Sequence, residues 1–193
     1  MAKISSTREQ MLAAAVELFR ARGYEGVGVA ELLEKSRAPR GSLYFHFPGG
    51  KGQIGVEVIA RVGREVTARF RELGHSKVDL EKFVELVFKT TAKESKERCY
   101  QATCPMAAMA AELSHDNPTL AAAVRDAFVD WEREISEAAR ARGMSAKNAD
   151  IFASALVTAM EGAFIVSKAQ GSSAAHINAS RSIRALASAL MAS

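Results

Sequence analysis

The stretch from residue 29 to residue 51, VAELLEKSRAPRGSLYFHFPGGK, constrains the fold of this chain most strongly. It begins with Val29, Leu32 and Leu33, whose spacing of i, i+3 and i+4 is that of a helix facing a core. The tripeptide Ser36-Arg37-Ala38 does not continue this period and is the predicted turn. Pro39 then suits the first position of a second helix, because its φ is fixed and it has no N–H to leave unpaired. Two short helices joined by a tight turn are typical of a helix-turn-helix, whose second helix enters the major groove of DNA.

The second helix should expose three side chains that can reach DNA, namely Arg40, Ser42 and His46. Arginine can bond bidentately to guanine, and a lysine at a helix start, as Lys51 is, adds positive charge to exposed backbone N–H groups. The alternative is that these are ordinary surface residues of a helix pair. The complete set of predicted DNA-contacting residues is Arg37, Pro39, Arg40, Ser42, Tyr44, His46 and Lys51.

A family resemblance rests on the same stretch and the residues just before it. The residues that carry it are Gly23-Tyr24, Val29, Leu32, Gly41-Ser42-Leu43-Tyr44, Phe47 and Lys51, which resemble the N-terminal domain of TetR-family transcriptional regulators. The resemblance implies phosphate contacts for Tyr44 and Lys51, and base or backbone contacts for Arg40 and Ser42. Three positions depart from the family pattern: Gly28 and Pro39 replace residues that could cap helices, and Arg37 replaces a glycine of the turn.

Two further segments, 38–51 and 104–113, resemble the LmrA/YxaF branch of that family, whose ligands include drugs and flavonoids. The resemblance implies a small-molecule pocket in the larger part of the chain, for a largely apolar or aromatic inducer. Residues with aromatic or sulfur-containing side chains are the candidates to line it, although each is equally a core residue by default. They are Phe83, Phe88, Met106, Met109, Trp131 and Phe164.

The whole chain predicts an all-α fold of about nine helices. Only 4 of its 193 residues are proline, and 48% are hydrophobic, which is enough for a substantial core. We expect a DNA-binding domain of three helices in residues 1–50 and a larger helical ligand-binding and dimerisation domain in residues 51–193. The first helix should begin after Thr7, because Thr7 and Gln10 have the spacing of a capping box.

Small residues on one predicted helix favour a homodimer. Because two reading helices must fit DNA at a matched spacing, dimerisation is expected, and the helices near 119–142 and 147–169 are the candidates. The interface residues are predicted to be Ala155, Ala159, Gly162 and Val166, although the same pattern would serve packing within one subunit. Glu161 interrupts this apolar helix and suggests an ion pair at a subunit interface, or alternatively a ligand anchor.

Charge and cysteine content favour a cytoplasmic DNA-binding protein. The net charge of +4 lies entirely in residues 1–75, as phosphate binding would favour. There is no apolar signal core or membrane span of ~18 uninterrupted apolar residues. No cofactor, metal site or enzymatic activity is expected. The sequence therefore predicts a ligand-responsive transcriptional repressor, and the alternative is a redox-sensing regulator that uses Cys99 and Cys104.

Overall fold

The structure is a computed structural model that describes the backbone of residues 2–112 and 117–192, and side chains from residue 7 onward within those ranges. This described part contains nine α-helices and no strand, which confirms the all-α prediction. The helices are α1 (Ala2–Arg22), α2 (Val29–Ser36), α3 (Leu43–His46), α4 (Gly50–His75), α5 (Leu80–Glu97), α6 (Pro105–Ala110), α7 (Pro118–Arg140), α8 (Ala146–Gln170) and α9 (Ala174–Met191). One turn of 3-10 helix, Arg40–Ser42, leads into α3.

The chain forms two compact units that do not follow its order. The first consists of Met1–Val62 and Cys104–Ala127, as far as these residues are described, and the second of Gly63–Thr103 and Phe128–Ser193. Helices α4 and α7 contribute residues to both units. The predicted division into domains 1–50 and 51–193 stays a prediction.

The first unit is built around α1, whose predicted start is wrong. Helix α1 begins at Ala2 rather than after Thr7, because the residues before Thr7 include no proline or glycine that would break it. The side chains on its inner face, Met11, Ala15 and Phe19, are completely buried. Gly23 ends α1 with a φ of +76°, a left-handed conformation that glycine adopts without strain.

The second unit packs α5, α8 and α9 against one another. Asp79 caps α5 by accepting a hydrogen bond from the Lys82 N–H at 2.7 Å. Trp131, on α7, is fully buried, and its indole N–H donates to the Gly63 carbonyl at 3.2 Å. Such a bond satisfies the one polar atom of a side chain that otherwise supplies only apolar surface.

Helix α8 is the most apolar element of the second unit. Its length and mean hydropathy of 1.6 would suit a membrane span, but half of the apolar window is buried inside the structure. Core helices of helical proteins pass the same test, so this property is weak evidence for a membrane. It packs against α5 and α9, which suits a helix whose apolar residues occupy most of its circumference.

Candidate DNA-binding surface

Helix α2 and the turn that follows it have the geometry of a helix-turn-helix. Leu32 and Leu33 are buried and fix α2 against the core of the first unit. Arg37 closes the helix with a φ of +54°, and the Ala38 N–H bonds back to the Leu33 carbonyl at 3.0 Å. Arg37 therefore takes the left-handed conformation that the family's glycine would supply, at some conformational cost.

The second helix begins one residue later than the sequence suggested. Pro39 stands just before the 3-10 turn and adopts an extended conformation, so Arg40 is the first helical residue. The Ser42 hydroxyl donates to the Pro39 carbonyl at 2.7 Å and closes this turn. The Ser42 hydroxyl therefore already donates its proton within the turn, but its oxygen can still accept a hydrogen bond from another group.

Helix α3 is anchored by two buried residues and presents aromatic side chains outward. Leu43 and Phe47 are completely buried, whereas Tyr44 is 67% and Phe45 71% exposed. The ring of His46, which is half-buried, meets Phe45 edge-to-face at 5.1 Å. Large exposed aromatics are unusual in a folded chain and mark surfaces that bind a partner.

Phe45 is absent from the predicted DNA-contacting residues, although the helical period places it on the exposed side of α3. Leu43 and Phe47 are four residues apart and therefore share the buried face. Phe45 lies midway between them and must point to the opposite side of α3. It belongs to the same exposed surface as Arg40 and Tyr44.

Lys51 lies in the first turn of α4 and is held by its neighbours. Its ammonium group stands 4.2 Å from the centre of the Tyr24 ring and 3.8 Å from a Glu25 carboxylate oxygen. Burial raises the pKa of the Tyr24 hydroxyl, and the nearby Glu25 carboxylate adds to this shift. Lys51 is thus positioned by a cation–π contact and keeps nearly a quarter of its side chain exposed.

A second network steadies the start of α4. The Gly49 N–H donates to the Gln53 side chain at 3.0 Å, and the Gln53 amide donates to Glu57 at 3.0 Å. Glu57 also accepts two bonds from the Arg8 guanidinium, at 2.6 and 2.7 Å. The Arg8 guanidinium lies 4.7 Å from the centre of the Phe47 ring, so this network connects α1, α3 and α4.

All six predicted ligand residues are buried, but they do not belong to one unit. Met106 and Met109 lie in the first unit, whereas Phe83, Phe88, Trp131 and Phe164 lie in the second. A surface hollow of about 280 Å³ is lined by other side chains, mostly charged ones of α7 and α8: Glu132, Arg133, Ser136, Glu137, Arg140, Asp150 and Ala153. Its charge does not suit the apolar ligand that the sequence suggests.

The predicted dimer residues follow the accessible side of α8. Ala155, Ala159 and Gly162 are half-buried, and Val166 is exposed. Ile151 and Ile165 extend the same surface with about half of each side chain exposed. We call these six residues the α8 stripe. A Cβ added at Gly162 would meet no atom within 4 Å, so the stripe is open at that point.

The two cysteines have different environments. Cys99 is exposed and has a φ of +51°, whereas Cys104 is buried and precedes α6. Cys99 belongs to the second unit and Cys104 to the first, and the redox alternative is not supported over the ligand-responsive one. Among the described residues, no group of three or more His, Cys, Asp or Glu side chains could hold a metal ion.

The chain is similar to known proteins over both parts. Residues 11–58 match the family model of bacterial regulatory proteins of the tetR family, and residues 81–182 match that of the transcriptional regulator LmrA/YxaF-like C-terminal domain. The chain is 31% identical to the HTH-type transcriptional regulator LmrA of Bacillus subtilis, over 83% of this chain and 86% of that one. It is 25% identical to the uncharacterised HTH-type transcriptional regulator YxaF of the same organism, over 86% and 87% of the two chains.

A solved structure shows the same fold. The regulatory protein TetR from Rhodobacter sphaeroides superimposes with a TM-score of 0.80 at 22% identity, over 92% of this chain and 97% of that one. The relatives are transcriptional regulators rather than enzymes. Together with the exposed second helix of the helix-turn-helix, these matches show that the chain belongs to the TetR family of DNA-binding transcriptional regulators, with a C-terminal domain of the LmrA/YxaF type.

Proposed function

We propose that this protein is a cytoplasmic, homodimeric repressor that a small apolar molecule releases from a pseudo-palindromic operator. The observation that carries the proposal is the α3 surface, where Arg40, Tyr44 and Phe45 are exposed beside the supported Lys51. Arginine and aromatic side chains on a short exposed helix suit base edges and thymine methyl groups. Lys51, at the start of α4, suits a phosphate.

Arg40 and Lys51 should differ in what they contribute to DNA binding. We expect Arg40→Ala to weaken specific binding by about 1–3 kcal/mol and to relax specificity at one base pair. Lys51→Ala should weaken all sequences similarly and lower the salt slope by about one per protomer. The specific probe is the DNA that flanks the chain's own gene, located by footprinting, and the general probe is a random-sequence duplex.

The control is Lys77→Ala, which removes an equal charge from an exposed position between α4 and α5. Lys77→Ala should change sequence specificity less than Arg40→Ala does, and the salt slope less than Lys51→Ala does. Equal losses for Lys77→Ala and Lys51→Ala would mean that only the overall charge matters. Unchanged affinity of both the Arg40 and Lys51 variants, on both duplexes, would contradict the proposed surface.

The α8 stripe supports the proposed dimer. It presents Ile151, Ile165 and Val166 to solvent in the isolated chain, and small residues between them would let a second helix approach closely. Gly162→Glu should therefore yield monomers and abolish operator binding. Lys89→Glu also introduces a negative charge at an exposed helix position, on α5, and should remain dimeric. Sedimentation velocity measures both, and a wild-type monomer at micromolar concentration would contradict the proposal.

The ligand response is supported by the match of the LmrA/YxaF-like domain over 81–182, a range that includes all six predicted ligand residues. A flavonoid is the probe that the family resemblance suggests. Trp131 is the only tryptophan of the chain and one of the four predicted ligand residues in the second unit, so its fluorescence tests for ligand binding there. If the ligand is an inducer, operator DNA must weaken its binding by the same factor by which the ligand weakens DNA binding. Equal ligand affinity with and without operator would exclude an inducer role.

A further inference from the structure

Glu112 makes an unusual long-range contact beside the helix-turn-helix. One oxygen of its carboxylate accepts hydrogen bonds from the backbone N–H groups of Tyr24 and Glu25, at 2.6 and 2.9 Å. These two N–H groups come directly after Gly23, whose left-handed conformation ends the hydrogen-bonding pattern of α1. Bonds from backbone N–H groups to an ionised carboxylate are stronger than neutral ones. Glu112 therefore fixes the start of the connection between α1 and α2.

The space for this carboxylate exists because residue 23 is glycine. A Cβ added at Gly23 would overlap the Glu112 carboxylate, and the φ of +76° already disfavours any other residue. The turn that follows α6 continues to Glu112, whose N–H bonds to the Met109 carbonyl at 3.2 Å. The turn after α6 therefore holds Glu112 in place, and the absence of a side chain at Gly23 leaves room for its carboxylate beside the connection between α1 and α2.

Tyr24 carries the effect of this contact to Lys51. The Tyr24 side chain is buried, and its ring packs edge-to-face on Phe19 at 5.4 Å. It lies close against α4, since a Cβ added at Gly55 would stand 2.9 Å from a Tyr24 ring carbon. The ring also contacts the ammonium of Lys51, which lies 4.2 Å from the ring centre. A shift of the Tyr24 backbone would therefore remove the support beneath Lys51.

We propose that Glu112 is a positioning residue for DNA binding, which holds Tyr24 in place so that Lys51 is pre-organised for a DNA phosphate. This inference rests on the proposed function, because it requires Lys51 to bind DNA. Without the Glu112 carboxylate, Lys51 would have to be ordered during binding, and that ordering would reduce affinity. The effect should be independent of sequence, since phosphate contacts carry no sequence information.

The direction in which DNA affinity changes distinguishes a positioning role of Glu112 from the effect of its charge alone. Glu112→Ala and Glu34→Ala each make the chain one unit more positive, and Glu34 is exposed on α2. A pure charge effect would tighten binding to a random-sequence duplex in both variants. We expect Glu34→Ala to bind as well as wild type or better, and Glu112→Ala to bind about threefold more weakly or worse at 0.1 M salt. Its salt slope should move toward that of Lys51→Ala.

The decisive measurement is a double-mutant cycle on the random-sequence duplex. In the Lys51→Ala background, Glu112→Ala should change affinity by less than about twofold, because the residue on which it acts is gone. Gly23→Ala, which displaces the carboxylate from the other side, should resemble Glu112→Ala and should not add to it. Circular dichroism and sedimentation of each variant establish that it is folded and has the wild-type assembly state.

The possible results distinguish the positioning role of Glu112 from the phosphate contact of Lys51. Tightened or unchanged binding by Glu112→Ala, or a loss that adds fully to that of Lys51→Ala, would overturn the positioning role. If Lys51→Ala itself bound DNA as wild type does, the proposed phosphate contact would fail as well as the inference. A clear loss in Lys51→Ala with none in Glu112→Ala would refute the positioning role alone.

Discussion

His176 should make the stability of this protein depend on pH in the acidic range. It lies on α9, is fully buried, and has its two ring nitrogens 3.0 Å from the Thr91 hydroxyl and 2.9 Å from the Ser95 hydroxyl. The Thr91 hydroxyl donates to the Phe88 carbonyl, so the geometry fits a neutral ring that donates to Thr91 and accepts from Ser95. Burial lowers the pKa of His176 from 6.5 to about 4, and the nearby Glu94 carboxylate offsets this only partly.

The direction of the pH effect follows from these two pKa values. Between pH 6.5 and about 4, the unfolded chain binds a proton at His176 that the folded chain does not. The contribution of the neutral ring to stability is therefore complete above pH 6.5 and decreases as the pH falls toward 4. A difference of about 2.5 pKa units corresponds to about 3 kcal/mol in total, of which about 2 kcal/mol is lost by pH 5.

Urea denaturation at pH 7.5 and pH 5, at constant protomer concentration, measures this loss. The informative comparison is the difference in unfolding free energy between wild type and His176→Gln, which should shrink by about 2 kcal/mol at pH 5. His75→Gln, at an exposed position on α4, is the control and should keep the pH dependence of wild type. A difference between wild type and His176→Gln that is the same at both pH values would refute the argument.

Three other substitutions test particular contacts. Trp131→Phe should cost about 1–2 kcal/mol of stability in urea denaturation, because it removes the bond to the Gly63 carbonyl; unchanged stability would show that this bond is dispensable. Phe45→Ala should weaken binding to operator more than to random duplex, since an apolar contact with thymine methyl groups is sequence-specific, and equal losses would contradict base contact. Arg37→Gly should stabilise the fold by up to about 1 kcal/mol by relieving a left-handed conformation while weakening DNA binding; a less stable variant with full DNA affinity would contradict both expectations.

Apolar periodicity predicted the helices well because it reflects which side of each helix is buried. Leu80, Phe83 and Val87 recur in the sequence at the spacing of one helix face, and all three are buried on α5 in the structure. The start of α1 was predicted wrongly, since the capping spacing of Thr7 and Gln10 shows only that a cap is possible there. A helix continues through such a position where nothing before it breaks the helical conformation.

The contacts around the candidate DNA surface were harder to predict, because most join distant parts of the chain. The Tyr24 N–H and the Glu112 carboxylate are separated by 88 positions, and no local pattern relates them. The contact between Lys51 and the Tyr24 ring likewise depends on how α1 and α4 pack. Phe45 is different, because the period set by the residues around it already predicts its outward position. A helical period therefore predicts which way a side chain points, but not its partner from elsewhere in the chain.

Helix α4 carries both Lys51, the proposed phosphate contact, and Phe70, a neighbour of Trp131. Lys51 lies in its first turn, and Phe70, in its later part, packs edge-to-face on the Trp131 ring at 6.3 Å. Lys51 belongs to the first compact unit, whereas Phe70 and Trp131 belong to the second, and α4 contributes residues to both. In the proposed ligand response, a ligand that displaces Trp131 would act on α4 through Phe70, within the second unit. A coupling free energy of about 1–3 kcal/mol, which changes occupancy roughly 5- to 150-fold, is sufficient for release of DNA.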